Sequence, residues 1–283
     1  MAAPLTTKPP SRRLRRDEAC WLLGLLIVVT CSWVRWLATG SLKVDENYPP
    51  ELTATFLFLG LIAGWSLLVV GWQGLLTRPH PCPRTLAFAG LIAAAFMLPM
   101  LSNDVFSLLA YGSLAAQGHD VYTTATELPQ SVWYPWMGEI WGQTVCVYGP
   151  VTLASTMPAA HATQNPWLAL ALLRLAWFVP LAILMELSLR RLRDRPFFHA
   201  MVWLNPLWIV EGPGQLHADL LGLMAITAGI MFQRSGRQRA GWIFCSLALL
   251  AKYTFAVTGI WFWLSGARTF RERVLRIPAM VAI

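Results

Sequence analysis

Charge is what this chain has little of. Asp, Glu, Lys and Arg make up 13% of its 283 residues, about half the share usual in soluble domains. So sparse a polar complement cannot solvate a fold of this size in water. Several motifs are missing as well. There is no Walker loop, no dinucleotide-binding glycine fingerprint, no H-E-x-x-H and no G-x-S-x-G, which argues against nucleotide-driven chemistry and the common hydrolase mechanisms. Cys20, Cys31, Cys82, Cys146 and Cys245 form no C-x-x-C pair and no metal-ligand spacing. Most lie in or beside apolar runs, where cysteine behaves as a small hydrophobe, and they fix no redox compartment. No internal repeat is evident.

What is present is hydrophobic. Apolar residues reach 56%, with 15 Trp and 13 Phe, and the mean hydropathy is +0.52; disorder is excluded for most of the length. The net charge of +8 would by itself suggest a nucleic-acid partner, but with this hydropathy it reads as an orientation signal in a membrane protein, and no nucleic acid is expected. Apolar runs at 20–39, 53–76, 85–101, 167–189, 197–211, 219–233 and 240–265 predict an all-α, polytopic protein of about seven to eight membrane helices, at about 20 residues per crossing. Residues 1–19 form a basic tail, and 20–283 a single transmembrane domain.

Basic residues cluster on the cytoplasmic side of membranes. With the N-terminus inside, the basic loops 78–84, 190–195 and 234–239 all fall inside. The long connection 102–147 falls outside. From Thr85 to Leu173 there is no Lys or Arg, yet Asp104, Asp120, Glu127 and Glu139 occur there. The short, half-polar stretch 148–163 reads as re-entrant or interfacial. A single crossing over 240–265 would leave Arg268, Arg271, Arg273 and Arg276 outside, whereas two short helices meeting near Lys252 return them to the cytoplasm. Irregular backbone at membrane depth needs protein or a water-filled cavity around it, so the charge pattern predicts a polar cavity around Lys252. Val274 to Ile283 reads as the start of a further helix, as in a chain cut short.

Ionisable residues at or near the membrane are functional candidates by default: Asp104, Arg174, Glu211, His217, Asp219 and Lys252, all on or near the outer side. Asp104 shares a helix face with Ser107 and Tyr111 by i, i+3, i+7 spacing, which suits an interfacial helix with Ser102 or Asn103 as its cap. The same residues also have plainer readings: Asp104 and Asp219 as helix caps, His217 at the interface, Lys252 and Arg174 as snorkelling cations, and Trp133, Trp136 and Trp141 as interfacial anchors. The chemistry the set permits is group transfer at the membrane surface. A carboxylate would act as general base on a hydroxyl, while a few cations hold a phosphate leaving group whose lipid tail stays in the bilayer.

The ordered elements Asn103-Asp104-Val105, Tyr111-Gly112, Gly118-His119-Asp120-Val121-Tyr122, Tyr148-Gly149-Pro150, Asn205-Pro206, Gly214-x-x-His217-x-Asp219 and Leu250-Ala251-Lys252-Tyr253 resemble GT-C glycosyltransferases. The likeness is greatest to the polyprenyl-phosphate-mannose-dependent mannosyltransferases of bacteria, and it spans about 85–265. Val121 replaces the usual Pro, Ala218 the usual Asn, and a single acid, Asp104, the usual pair. The resemblance implies inverting transfer of a hexose, mannose foremost, from a polyprenyl-phosphate donor to a glycan or lipid acceptor outside the plasma membrane. Asp104 would be the base, and Lys252, His217 and Arg174 would hold the donor phosphate. Tyr111, Tyr122, Tyr148 and Asp219 would form the sugar and acceptor pocket. No organic cofactor is implied, and a divalent cation is left open. Two other readings stand beside it: a transporter or flippase of lipid-linked sugar, and a truncated, non-catalytic membrane partner. Asp45 or Glu46 is the alternative base.

Overall fold

A computed structural model of the chain describes residues 15–42, 49–77, 84–138, 141–191 and 195–257. The alternative base at Asp45 or Glu46, the anionic Glu139, most of the loop 78–84 and the basic stretch beyond 257 lie outside these residues.

The fold is all-α, with no strand among the described residues. Two long apolar helices, α1 (Arg16–Thr39) and α2 (Glu51–Thr77), pack on each other through small residues. A Cβ on Gly24 would meet the Gly64 carbonyl at 2.6 Å, and one on Gly71 would meet the Trp21 nitrogen at 2.6 Å. Glycine therefore sets the backbone separation here, as is common where helices associate in lipid. Then follow α3 (Arg84–Phe96), α4 (Asp104–Ala116) and α5 (Pro150–Ala162), each 13 residues, and the long α6 (Pro166–Arg191). A broken stretch comprises α7 (Pro196–Trp203), α8 (Pro206–Ile209) and a π-helical turn at Val210–Gly214. Helices α9 (Asp219–Arg234) and α10 (Gln238–Ala251) pack together, and α10 also touches α5.

Among the described residues, α1, α2 and α6 are long and apolar enough to cross a membrane; a fourth span is reached if α8, the π turn and α9, bent by 117°, count as one. That is fewer than the seven to eight expected, and the shortfall has local causes. The run 85–101 stops being helical at Phe96 because Pro99 lacks an N–H and restricts the residue before it. Thirteen residues reach only about 20 Å against a hydrocarbon core of about 30 Å. The run 197–211 breaks at Leu204, after which Asn205 caps α8 by accepting from the N–H groups of Leu207 (3.0 Å) and Trp208 (3.4 Å), with Pro206 in the first turn. The last run breaks at Lys252, whose backbone is extended (φ −156°, ψ 130°), before a 3₁₀ turn at Tyr253–Phe255.

Each break frees backbone carbonyls that an apolar environment cannot solvate. Indole N–H groups meet several of them. Trp33 donates to Phe96 at the end of α3, Trp21 to Leu204 and Trp72 to Ala200, each at 2.8 Å. The many tryptophans are thus partly the hydrogen-bonding complement of the broken helices. Trp133, expected as an interfacial anchor, is instead fully buried with its indole N–H 3.4 Å from the Ala160 carbonyl. Trp136 is half-buried and packs its ring near Phe106.

Candidate active site

Asp104 opens α4. Its backbone N–H donates to the Ser102 hydroxyl at 3.1 Å, so Ser102 rather than the Asn103 side chain supports the helix start. The helix forms as expected, and every residue of it from Asp104 to Leu114 is buried within the protein. It is enclosed because α5 lies against it so closely that a Cβ on Gly112 would meet the Thr156 hydroxyl at 2.6 Å, while the short turns at Ala125–Gln130 and Tyr134–Trp136 and the backbone of Thr144 also contact it. Tyr111, fully buried, bonds the Thr144 carbonyl at 3.1 Å and ties that connection to α4.

His217 arrives from the other half of the chain. The π turn at Val210–Gly214 ends in Gln215, and Leu216 then takes the left-handed conformation (φ 57°). That region costs a bulky residue roughly 1–3 kcal/mol and persists only where the surroundings enforce it. Leu216 is completely buried, which supplies the enforcement. The backbone reversal turns His217 toward α4, and Asp219 follows as the first residue of α9.

Lys252 comes from the break after α10. The turn Tyr148-Gly149-Pro150 docks there: the Gly149 N–H donates to Ala251 at 2.9 Å and the Thr152 hydroxyl to the same carbonyl at 2.8 Å. A Cβ on Gly149 would lie 2.1 Å from the Leu250 carbonyl oxygen, so only glycine lets the two backbones meet. On α9, Gly222 similarly leaves room for the ring of Phe255, which a Cβ would meet at 2.0 Å.

These pieces bring four sequence-expected residues into one polar chain of ion pairs and hydrogen bonds. The carboxylate Oδ2 of Asp104 is 3.2 Å from His217 Nε2. His217 Nδ1 is 3.3 Å from Asp219 Oδ2, and that same oxygen accepts from Lys252 Nζ at 2.8 Å. The Tyr148 phenol lies close to Asp104; burial, followed by the charge of Asp104, pushes its pKa far upward. The chain runs from an almost enclosed Asp104 side chain, 11% exposed, to an Asp219 side chain 37% exposed, so it opens to solvent at the Asp219–Lys252 end. Both imidazole nitrogens face carboxylates. The Asp219 carboxylate foremost, with Asp104 adding to it, favours the protonated ring. Among the described residues no group of three or more His, Cys, Asp or Glu is placed to hold a metal ion, and the ammonium of Lys252 holds the position beside Asp219 that a cation would take.

A family model described as alpha-(1->6)-mannopyranosyltransferase, N-terminal domain, matches residues 18–267. The chain belongs to this family. It is 28% identical over 261 residues, 84% of its own length, to alpha-(1->6)-mannopyranosyltransferase A of Mycobacterium tuberculosis, of which it covers 50%. To the protein of the same name from Corynebacterium glutamicum it is 25% identical over 180 residues, 62% of this chain and 36% of the relative. The chain spans about half the length or less of these curated relatives. No solved structure matches it.

Of the remaining expected residues of this mannopyranosyltransferase-family chain, Arg174 and Tyr122 lie outside the four-residue chain, whereas Glu211 is near enough to feel the charges of His217 and Asp104. Arg174, on α6, directs its guanidinium to the Met97 carbonyl just beyond α3. Tyr122 is 43% exposed, and its backbone N–H donates to Asp120 Oδ1 at 3.0 Å. Asp120, beside it, is held below the usual carboxylate range by the Thr123 hydroxyl and the Tyr122 N–H. Glu211 lies on the π turn, and its carbonyl is 3.4 Å from the His217 N–H. What sequence reasoning missed is Gln215, buried to 1% between the two halves of the site. Its side-chain type and neighbours carry no signal; only a pattern of glycine, proline and glycine marked its surroundings as irregular.

Proposed function

We propose that this chain is the mannosyl-transferring half of a membrane α-mannosyltransferase, using a polyprenyl-phosphate-linked hexose as donor and a glycan or lipid hydroxyl as acceptor. The observation that carries the reading is the polar chain from Asp104 to Lys252, assembled from three separate breaks in the helices. At its buried end, Asp104 removes the proton from the acceptor hydroxyl as that oxygen attacks the anomeric carbon, with inversion. At its open end, Lys252 uses one of its three donors on Asp219 and has two for the departing phosphate oxygens. His217 joins the ends: it orients Asp104 through Nε2 and Asp219 through Nδ1, and its charge favours the phosphate. Tyr148 fixes the second approach to Asp104, and Tyr111 supports the wall behind it. Arg174 acts on the backbone beneath the site rather than on phosphate.

The charge pattern supports an orientation in which the N-terminus is cytoplasmic and the site, with the connection 102–147, faces outward from a bacterial plasma membrane. The polyprenyl chain of the donor then stays in lipid while its sugar reaches the site. Replacing Asp104 by Asn tests the reading in membranes supplied with polyprenyl-phosphate mannose. Transfer is expected to fall by about 10²–10⁴-fold at unchanged expression. Wild-type turnover by Asp104→Asn would overturn it. A flippase using the same cavity needs no base, so it would keep its activity in that variant and yield no glycosidic product.

A further inference from the structure

Residues 97–103 join α3 to Asp104 without regular helix, and Met97, Leu98 and Met100 are buried. Backbone of this kind, enclosed and non-helical, must find its partners inside the protein. Side chains from three distant elements supply them. Ser32 on α1 accepts from the Leu98 N–H at 3.1 Å. Arg174 on α6 donates to the Met97 carbonyl. Gln215, just after the π turn, does more: its Oε1 accepts from the N–H groups of Met100 (2.8 Å) and Leu101 (3.0 Å), and its Nε2 donates to the Leu98 carbonyl at 3.3 Å.

Ser32 and Arg174 determine where the segment lies against the helices. Of the three, Gln215 alone belongs to the other half of the site. It stands two residues before His217, and the intervening Leu216 is locked at φ 57°, so the position of its amide fixes that of the imidazole. At the other end, Leu101 stands three residues before Asp104. We infer that Gln215 is a positioning residue that sets the distance and angle between Asp104 and His217. It acts entirely through backbone, and none of its bonds reaches the four-residue chain. A burial this complete, 1% exposed, with both ends of the amide satisfied, makes the clamp stiff: leaving any of these groups unpaired carries a desolvation penalty. The inference rests on the proposal that Asp104 and His217 work together in transfer, and its test separates the two.

The first arm measures transfer from polyprenyl-phosphate mannose by the full chain in membranes, corrected for folded protein. Gln215→Met fills the same space without the three bonds. It is expected to lower kcat about 10–100-fold, as about 1 Å of misplacement does, with the donor KM within about twofold. Gln215→Glu keeps the acceptor for Met100 and Leu101 and is expected to recover most of the loss. A residue serving the fold alone would reduce the amount of folded protein and leave kcat per folded molecule at the wild-type value, which would overturn the inference. The second arm needs no activity: thermal unfolding of the wild type, Asp104→Asn, Gln215→Met and the double variant. If Gln215 sets the Asp104–His217 contact, the Tm shift caused by Asp104→Asn shrinks by about half or more in the Gln215→Met background. Additive shifts would overturn the inference. Where Gln215→Met does not accumulate, Gln215→Asn, too short to reach, takes its place with the same criteria. An inactive wild type would overturn the proposed function and leave the unfolding cycle to decide the positioning role.

Discussion

Asp219 is the residue on which the site's two cations converge, since one carboxylate oxygen accepts from both His217 and Lys252. Removing Lys252 therefore does two things: it takes away the donors for a departing phosphate and leaves Asp219 without its ion-pair partner. Lys252→Met is expected to lower transfer by about 10²-fold, the scale of a lost transition-state donor. Adding Asp219→Asn in the same chain should restore part of any lost stability without restoring activity; thermal unfolding read beside the transfer assay checks both. Cys146 offers a test of the fold at the same scale. Burial pushes its thiol pKa up to about 11, so only about one molecule in a thousand carries the reactive thiolate at pH 8. Iodoacetamide is expected to modify Cys146 slowly in the folded protein and rapidly once it is unfolded, as peptide mass spectrometry would show. Equal rates would mean that the connection holding Cys146 does not pack as described. At this scale much was legible in the sequence. Asp104, His217, Asp219 and Lys252 stood out because an ionisable group among apolar residues is conspicuous. Arg174 stood out for the same reason, yet its guanidinium went to a carbonyl, because the end of α3 leaves a carbonyl that needs a donor more locally than any ligand does.

The elements matter through where they fail. A continuous helix satisfies its own backbone and offers nothing to a site, whereas the breaks after Phe96 and Ala251 and the π turn before Gln215 bring polar backbone and side chains to one place. The contact between the turn at Gly149 and the end of α10 is the most demanding of these junctions. Gly149→Ala keeps an ordinary backbone conformation (φ −74°) but places a methyl against the Leu250 carbonyl, so α10 must move away and carry Lys252 with it. The expected cost is about 1–3 kcal/mol of stability, typical of overpacking, with a fall in transfer; denaturant unfolding and the membrane assay measure the two. The break at Lys252 was legible from charge alone, because an unbroken helix would have put the following arginines on the wrong side. The interior position of α4 was not legible. Its i, i+3, i+7 polar positions describe a helix with one polar face, and nothing in that periodicity distinguishes water from a polar site buried under other elements.

For the molecule as a whole, the three long apolar helices among the described residues describe a membrane protein, and the distribution of Lys and Arg supports the direction proposed for it. If the outer assignment of 102–147 holds, a cysteine at the exposed Gln130 is labelled by a membrane-impermeant maleimide added to intact cells. One at the exposed Ser235, between α9 and α10, is labelled only after lysis. The opposite pattern would invert the orientation and with it the side on which donor and acceptor meet.

The sequence by itself determined the solvent, the helical class and the family, because hydropathy, charge sign and the order of short motifs are properties of the chain read along its length. It also marked the residues from which the site is built. The tertiary structure alone decided how they are used. Whether His217 meets Asp104, whether Arg174 faces a ligand or a carbonyl, and which side chain clamps the backbone beneath Asp104 depend on contacts between positions 77 or more residues apart. Those contacts arise where broken helices leave polar backbone in an apolar surrounding, and the geometry of the break, rather than the composition on either side of it, selects the partner.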